Sequence, residues 1–261
     1  YVFQGGELFA ILDSNGTIVR ICEAVKLDSV LIDFLDRTQE VTVSFRKDGA
    51  SIVTKPISRD VIAHRPISEL SKYRLTAVDS SWQNGIVTEA LNDSESGAIV
   101  SYVHRRLGFA RDSTGNLYFL AHHSIPLDCT LQRPTSYFDR PEMTTPHGDI
   151  ESWKARVADF VMPSPYMQLA LSLGALAPVA HLLREERVIS DLPVIGIVGP
   201  SSTGKTAALR VIASIYGSTE ETGGLIGDLN STTVGLFATF AQNWGIPMIL
   251  DEATYREDMD F

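Results

Sequence analysis

The sequence predicts an α/β fold in three parts: a β-rich α+β domain over residues 1–148, a helical segment over 149–192, and a parallel-sheet core over 193–261, truncated at its C-terminal end. Three observations predict it. Residues 1–60 alternate apolar and polar side chains between turn signals, the period of half-buried strands. Residues 149–185 change to helical spacing. From Leu192 onward, short apolar runs lead into a glycine-rich loop at 199–206 and an acidic pair at 251–252.

In the first part, residues 7–13 and 17–22 flank Asp13-Ser14-Asn15-Gly16, a hairpin signal, because Asn and Gly accept the left-handed backbone of a tight turn. Val30, Ile32 and Phe34 alternate, as do Val41, Val43 and Phe45, with a polar stretch at 36–39 between them. A second hairpin is the natural reading, with a helix over 28–37 as the alternative. Asp48-Gly49 turns the chain toward 51–54, and 58–75 reads as short helices interrupted at Pro66. A helix is expected from Ser94 or Glu95 to Leu107, with Ile99, Val100, Val103 and Leu107 on one face and Gly108 ending it. Residues 117–120 read as a strand. The stretch 124–149 holds Pro126, Pro134, Pro141 and Pro146, and it reads as irregular and as the domain boundary. Asp149 is placed to cap a helix through Trp153, Val157 and Phe160. The apolar stretch 166–183 contains Gln168, Ser172, Pro178 and His181, which favours a buried core helix over a membrane span.

Residues 192–198 form an apolar run rich in β-branched residues and read as a buried strand. Then Gly199-Pro200-Ser201-Ser202-Thr203-Gly204-Lys205-Thr206 fits the pattern G-x-x-x-x-G-K-[ST], and 207–216 reads as a helix ending at Gly217. Strand, glycine loop and helix form the context that a phosphate-binding loop requires. Successive N–H groups of such a loop make a nest for anionic oxygens, and the first N–H groups of the helix have no intrahelical partner. The expected nucleotide-binding set is therefore Gly199 to Thr206 with Ala207. Lys205 is expected to reach the β- and γ-phosphates of ATP, and the Thr206 hydroxyl to ligate Mg²⁺.

Hydrolysis needs a second strand that brings carboxylates to the metal and the water. The apolar run 246–250 ends in Asp251-Glu252, and Asp251 lies 46 residues after Lys205. That interval leaves room for the loop's helix, a strand and another helix, expected over 233–243. Asp251 would hold Mg²⁺, and Glu252 would polarise the attacking water, so Glu252 and Lys205 are the expected catalytic residues. The second carboxylate argues against a small-molecule kinase, and no N/T-K-x-D motif supports a Ras-type GTPase.

Composition narrows the class further. Lys and Arg number 22 against 32 Asp and Glu, a net charge of −10, unlike a dedicated nucleic-acid-binding domain. Cys22 and Cys129 make no disulfide framework, so a reduced, cytoplasmic setting is the default. Tyr1 in place of an initiator Met, and an end at Phe261 soon after the acidic pair, read as marks of a fragment. His122, His123 and Cys129 match no zinc spacing. Tyr102, His104, Arg105 and Arg106 read as a solvated helix face, with a nucleic-acid contact as the alternative, and Trp82, Trp153 and Trp244 as packing residues.

The run Gly199 to Leu209, with Ala213-Ser214-Ile215-Tyr216-Gly217 and Leu250-Asp251-Glu252, resembles the phage and mobile-element P-loop ATPases long filed as a domain of unknown function. Weaker agreement runs through Val43-Ser44-Phe45-Arg46 and Tyr102 to Phe109. The resemblance is sharp over the last quarter of the chain. It implies an AAA+/RecA-like P-loop NTPase core related to superfamily-3/D5-like and MCM-like replicative helicases. It further implies a homo-oligomeric ring, a hexamer in such helicases, with sensor and arginine-finger residues beyond residue 261. The expected function is an Mg-ATP-hydrolysing motor ATPase, a DNA helicase acting in the replication of a phage or mobile element, with no membrane partner. The alternatives are an ATP-driven switch or defence-type NTPase acting on proteins, and a nucleotide-binding assembly module without turnover.

Overall fold

The computed structural model describes residues 1–12, 16–131, 134–220, 224–228 and 245–251. It is a mixed α/β chain that divides into two compact units, Tyr1–Tyr102 and Val103–Phe261.

The first unit is built from local antiparallel pairing. Strands β1 (Val2–Gln4), β2 (Glu7–Ile11) and β3 (Ile18–Glu23) form a three-stranded sheet. A second sheet holds β4 (Val25–Asp33), β5 (Gln39–Lys47) and β6 (Ala50–Val53), with β7 (Ile57–Ser58) paired to β5. Both expected pairings are present, and 28–37 is not helical. In β5 the alternation is regular: Val41, Val43 and Phe45 are buried. In β4 a bulge at Asp28, between Leu27 paired with Val43 and Ser29 paired with Thr42, shifts the buried positions from 25 and 27 to 30. Helices α1 (Arg59–His64), α2 (Pro66–Ser71) and α3 (Ser81–Ser94) add Ile62, Ile67, Leu70, Val87 and Leu91 to the same core. Pro66 opens α2 as its first residue, where its missing N–H costs nothing.

The helix expected over 94–107 is not there. Ser94 ends α3, a 3₁₀ turn covers Glu95–Gly97, and strand β8 runs over Ile99–His104. Ile99 and Val103 fit either spacing, and β-branched side chains favour the pleated conformation. Gly108 therefore opens a strand instead of closing a helix.

The second unit begins with a small antiparallel sheet of β9 (Gly108–Arg111), β10 (Leu117–Leu120) and β11 (Ser124–Pro126). Asp112 fastens the first turn, its Oδ1 accepting from the N–H groups of Thr114 and Asn116 at 2.9 and 3.1 Å. β12 (Tyr137–Phe138) lies parallel to Val103 and His104. The fully buried His104 ring joins Ser136 Oγ and the Ala121 carbonyl, each at 2.9 Å. Next come α4 (Pro141–Thr144), α5 (Ile150–Arg156), a π-helical turn at Val157–Val161, and the long α6 (Pro165–Glu185). Asp149 caps α5 as expected, accepting from Glu151 and Ser152 N–H at 3.0 and 2.9 Å. α7 (Lys205–Ala213) and the parallel pair β13 (Ile226–Asp228) and β14 (Ile249–Asp251) complete the described elements.

The unit boundary falls well before the expected one at 148. The proline-rich stretch is packed and not a linker: Leu107 and Phe138 share a core with Ala170 of α6, Ala208 and Ile212 of α7, and Ile226 and Ile249 of the strands. α6 also differs from expectation, because it buries only a narrow face of small residues, Ala170, Gly174, Pro178 and Ala180. Tyr166, Leu169, Leu176 and Val179 are exposed. By length and composition this helix could cross a bilayer. Here its glycine face lies against α7: a Cβ on Gly174 would meet Ile215 Cδ1 at 2.8 Å and Ile212 Cγ2 at 3.1 Å.

The run 192–198 is the clearest departure. It makes no strand, and Val194 and Val198 are 101% and 96% exposed. An apolar run becomes a strand only when a neighbour takes its N–H and C=O groups. Among the described residues, the pairing partner of β14 is β13, and no ladder includes 192–198.

Candidate functional site

The site is organised by the start of α7. Gly204 takes φ +90° and precedes the first helical residue, Lys205. Ser202 is also left-handed, at φ +62°. These two residues, with Thr203 between them, curl the loop back on itself. Thr203 Oγ1 donates to the Pro200 carbonyl at 2.9 Å. Lys205 Nζ donates to the carbonyls of Gly199 and Pro200 at 2.9 and 2.7 Å, so the ammonium ties the two ends of the loop together. The first intrahelical bond runs from Ala208 N–H to the Gly204 carbonyl at 2.9 Å. The N–H groups of Lys205, Thr206 and Ala207 thus have no intrahelical acceptor, and they stand at the positive end of the helix dipole.

The helix is held from three sides. Its face of Ala208, Ile212 and Ala213 enters the core beside α6 and the parallel strands. Trp153 Nε1 of α5 donates to Ser214 Oγ at 3.1 Å. At its C-terminal end the backbone meets α4: Ser218 N–H donates to the Met143 carbonyl at 2.9 Å, and a Cβ on Gly217 would lie 2.2 Å from that oxygen.

Tyr216 explains how α6 tolerates a proline. In a regular helix the Gly174 carbonyl would accept from the N–H of residue 178, and Pro178 has none. The Tyr216 hydroxyl donates to that carbonyl at 2.7 Å. Burial pushes the phenol pKa up to about 12, which keeps it a donor.

β14 brings Asp251 to the carboxyl end of a parallel pair, the end at which open α/β sheets bind ligands. α7 packs against β14 and β13. Pro247 lies before the first residue of β14, so its missing N–H interrupts no ladder bond. Glu252, the helix expected over 233–243 and Trp244 lie outside the described residues. Asp228 was not singled out from the sequence, yet it is the register partner of Asp251 at the end of β13. Its signal is weaker, an apolar Leu225-Ile226 step and then Gly227 before the carboxylate, and a single short step is too common to stand out.

Oxygen donors from Thr206 and Asp251 suit a hard divalent cation, and Mg²⁺ is typically held by one or two carboxylates together with substrate phosphates. Among the described residues, no three His, Cys, Asp or Glu gather as a self-sufficient metal cage.

Fold and site together define a mixed α/β protein in which a glycine-containing loop opens α7 and α7 packs on the strand that ends in Asp251. The chain belongs to the DUF927 family, a domain of unknown function whose family model matches residues 11–261. No curated protein matches the sequence. A solved structure described as "SCCmec type IV Cch - active helicase" is similar over 96% of this chain, with a TM-score of 0.59 and 20% identity. At that identity the likeness is one of fold, and this chain spans 48% of the length of that structure.

Proposed function

We propose that the chain carries the nucleotide-binding half of an Mg-ATP-hydrolysing motor ATPase with an AAA+/RecA-like core, working as a DNA helicase of a phage or mobile element. One observation carries the reading: a G-x-x-x-x-G-K-T loop with left-handed Ser202 and Gly204 opens directly into α7, and α7 packs on the strand that ends in Asp251. In this reading the loop N–H groups from Gly199 to Ala207 bind the phosphates. Lys205 exchanges its loop carbonyls for phosphate oxygens, and Thr206 and Asp251 hold Mg²⁺. ATP supplies the transferable phosphoryl group, and Glu252 takes a proton from the attacking water. The likeness to a structure described as an active helicase supports the DNA-directed form. A homo-oligomeric ring is part of the proposal.

A net charge of −10 favours a second reading, an ATP-driven switch acting on protein partners. The test has two arms in the intact protein. Lys205→Ala should weaken nucleotide binding at least about a hundredfold, roughly 3 kcal/mol; affinity within about threefold of wild type would remove the phosphate-loop assignment. Glu252→Gln should bind ATP and lose turnover. Stimulation of ATP turnover by single-stranded DNA supports the helicase, and its absence the switch.

A further inference from the structure

We propose that Gly108 and Gly245 are positioning residues for Asp251, fixing the lead-in of β14 through a backbone-on-backbone contact; the inference rests on the phosphate-binding reading above. Gly108 opens β9 at φ +100°, and Gly245 stands four residues before β14 at φ +153°. A Cβ on Gly108 would lie 2.5, 2.7 and 2.8 Å from Cα, C and N of Gly245. All three atoms are main chain, so none can rotate away. On its other flank Gly245 meets α6: a Cβ there would lie 3.0 Å from His181 Cδ2, 3.2 Å from Phe109 N and 3.3 Å from Gly108 Cα. Two glycines far apart in sequence are therefore in contact, with no room for a side chain on Gly108 and a tight fit for one on Gly245.

This contact reaches the acidic strand through a lead-in of only four residues. β14 has three residues, and among the described residues its ladder partner is β13. Pro247, inside the lead-in, offers no N–H. Ile246 and Ile249 are buried in the core of α7, so a shift at Gly245 is carried along the strand and not absorbed at the surface. Ordinary carbon–carbon contact needs about 3.5–4.0 Å, so a methyl group on Gly108 requires a displacement of about 1 Å. A methyl group on Gly245 requires a few tenths of an ångström. Misplacement of about 1 Å from a distant substitution can slow a reaction roughly a hundredfold.

The experiment compares Gly108→Ala, Gly245→Ala and Gly115→Ala in the intact protein. Gly115 is the control: it has φ +86° with nothing within 4 Å of a Cβ, so alanine there meets a positive-φ cost without a collision. Three quantities are read: cooperative thermal unfolding, ATP affinity without divalent metal, and Mn²⁺ affinity with ATP by electron paramagnetic resonance. Turnover is measured alongside. The expected result is ATP affinity within about threefold of wild type for all three variants. Mn²⁺ affinity and kcat should fall about tenfold in Gly245→Ala, further in Gly108→Ala, and stay unchanged in Gly115→Ala. Folded glycine variants with Mn²⁺ affinity and kcat within threefold of wild type would overturn the proposal. So would loss of cooperative unfolding in Gly245→Ala, which would make the contact a stability element. If Gly108→Ala alone fails to fold, Gly245→Ala carries the test. Lys205→Ala in parallel separates the two failures: retained nucleotide binding there removes the phosphate-loop reading, and this inference with it. Lost binding there together with unaffected glycine variants removes this inference alone.

Discussion

The two units differ in how closely their elements approach one another. In the first, large side chains interdigitate between sheet and helices: Leu8, Val41, Val43 and Leu70 are completely buried. The second also buries side chains, Tyr118 and Leu120 among them, and adds close contacts made where side chains are missing. Gly174 admits α7, Gly217 admits the backbone of α4, and Gly108 admits Gly245, while Tyr166, Leu169, Val194 and Val198 stand at the surface. The first unit should therefore be sensitive to the loss of volume and the second to its gain.

The largest effect is expected in the first unit. Leu70→Ala removes a fully buried side chain from α2 and should cost about 2–5 kcal/mol in urea unfolding. Nucleotide affinity should stay unchanged, and a loss of affinity would break the separation between the units. Next comes Gly217→Ala. Its Cβ would lie 2.2 Å from the Met143 oxygen and 2.8 Å from Thr144 Cα, so the end of α7 must move. The expected cost is about 1–3 kcal/mol, with a fall in nucleotide affinity because α7 carries the loop. A neutral result would mean that the α4 junction is loose. Tyr216→Phe then tests the proline in α6. It leaves the Gly174 carbonyl without its donor and should cost about 1–2 kcal/mol. The same phenol gives a pH signature. Its pKa is raised by burial, so its contribution is complete below the unfolded value near 10 and is lost as pH rises toward about 12. Tyr216→Phe should flatten that alkaline loss, and an unchanged profile would remove Tyr216 as its source.

How far these features can be read from sequence follows the range of the interaction. The loop, the Asp149 cap, the Pro66 break and the hairpin pairings depend on neighbours a few residues away, and all were legible. Ile99 and Val103 were ambiguous because four-residue and two-residue spacing coincide over so short a run. α3 was missed because its buried face includes Gln83 and Ala90 beside Val87 and Leu91, a weak apolar stripe. The glycine contacts left no local mark. Gly108 reads equally well as a helix stop, and only the fold brings Gly245 against it. Asp251 was legible because it follows an apolar run, whereas its partner Asp228 follows a step too short to notice.

The smallest effect falls on the run where sequence and structure part most clearly. As a buried strand, residues 192–198 would lose several kcal/mol on placing a hydroxyl at Val194, since apolar contact would go and a polar group would enter the core, each step worth roughly 1–3 kcal/mol. With Val194 fully exposed, Val194→Ser removes no packing and buries no hydroxyl. The expected change in unfolding free energy is then within about 0.5 kcal/mol, as at other surface positions. Leu70→Ala measured under the same conditions supplies the scale. A Val194→Ser cost approaching that of Leu70→Ala would show that the run is covered in solution. The close glycine contacts of the second unit would then be joined by a covered apolar run leading into the loop.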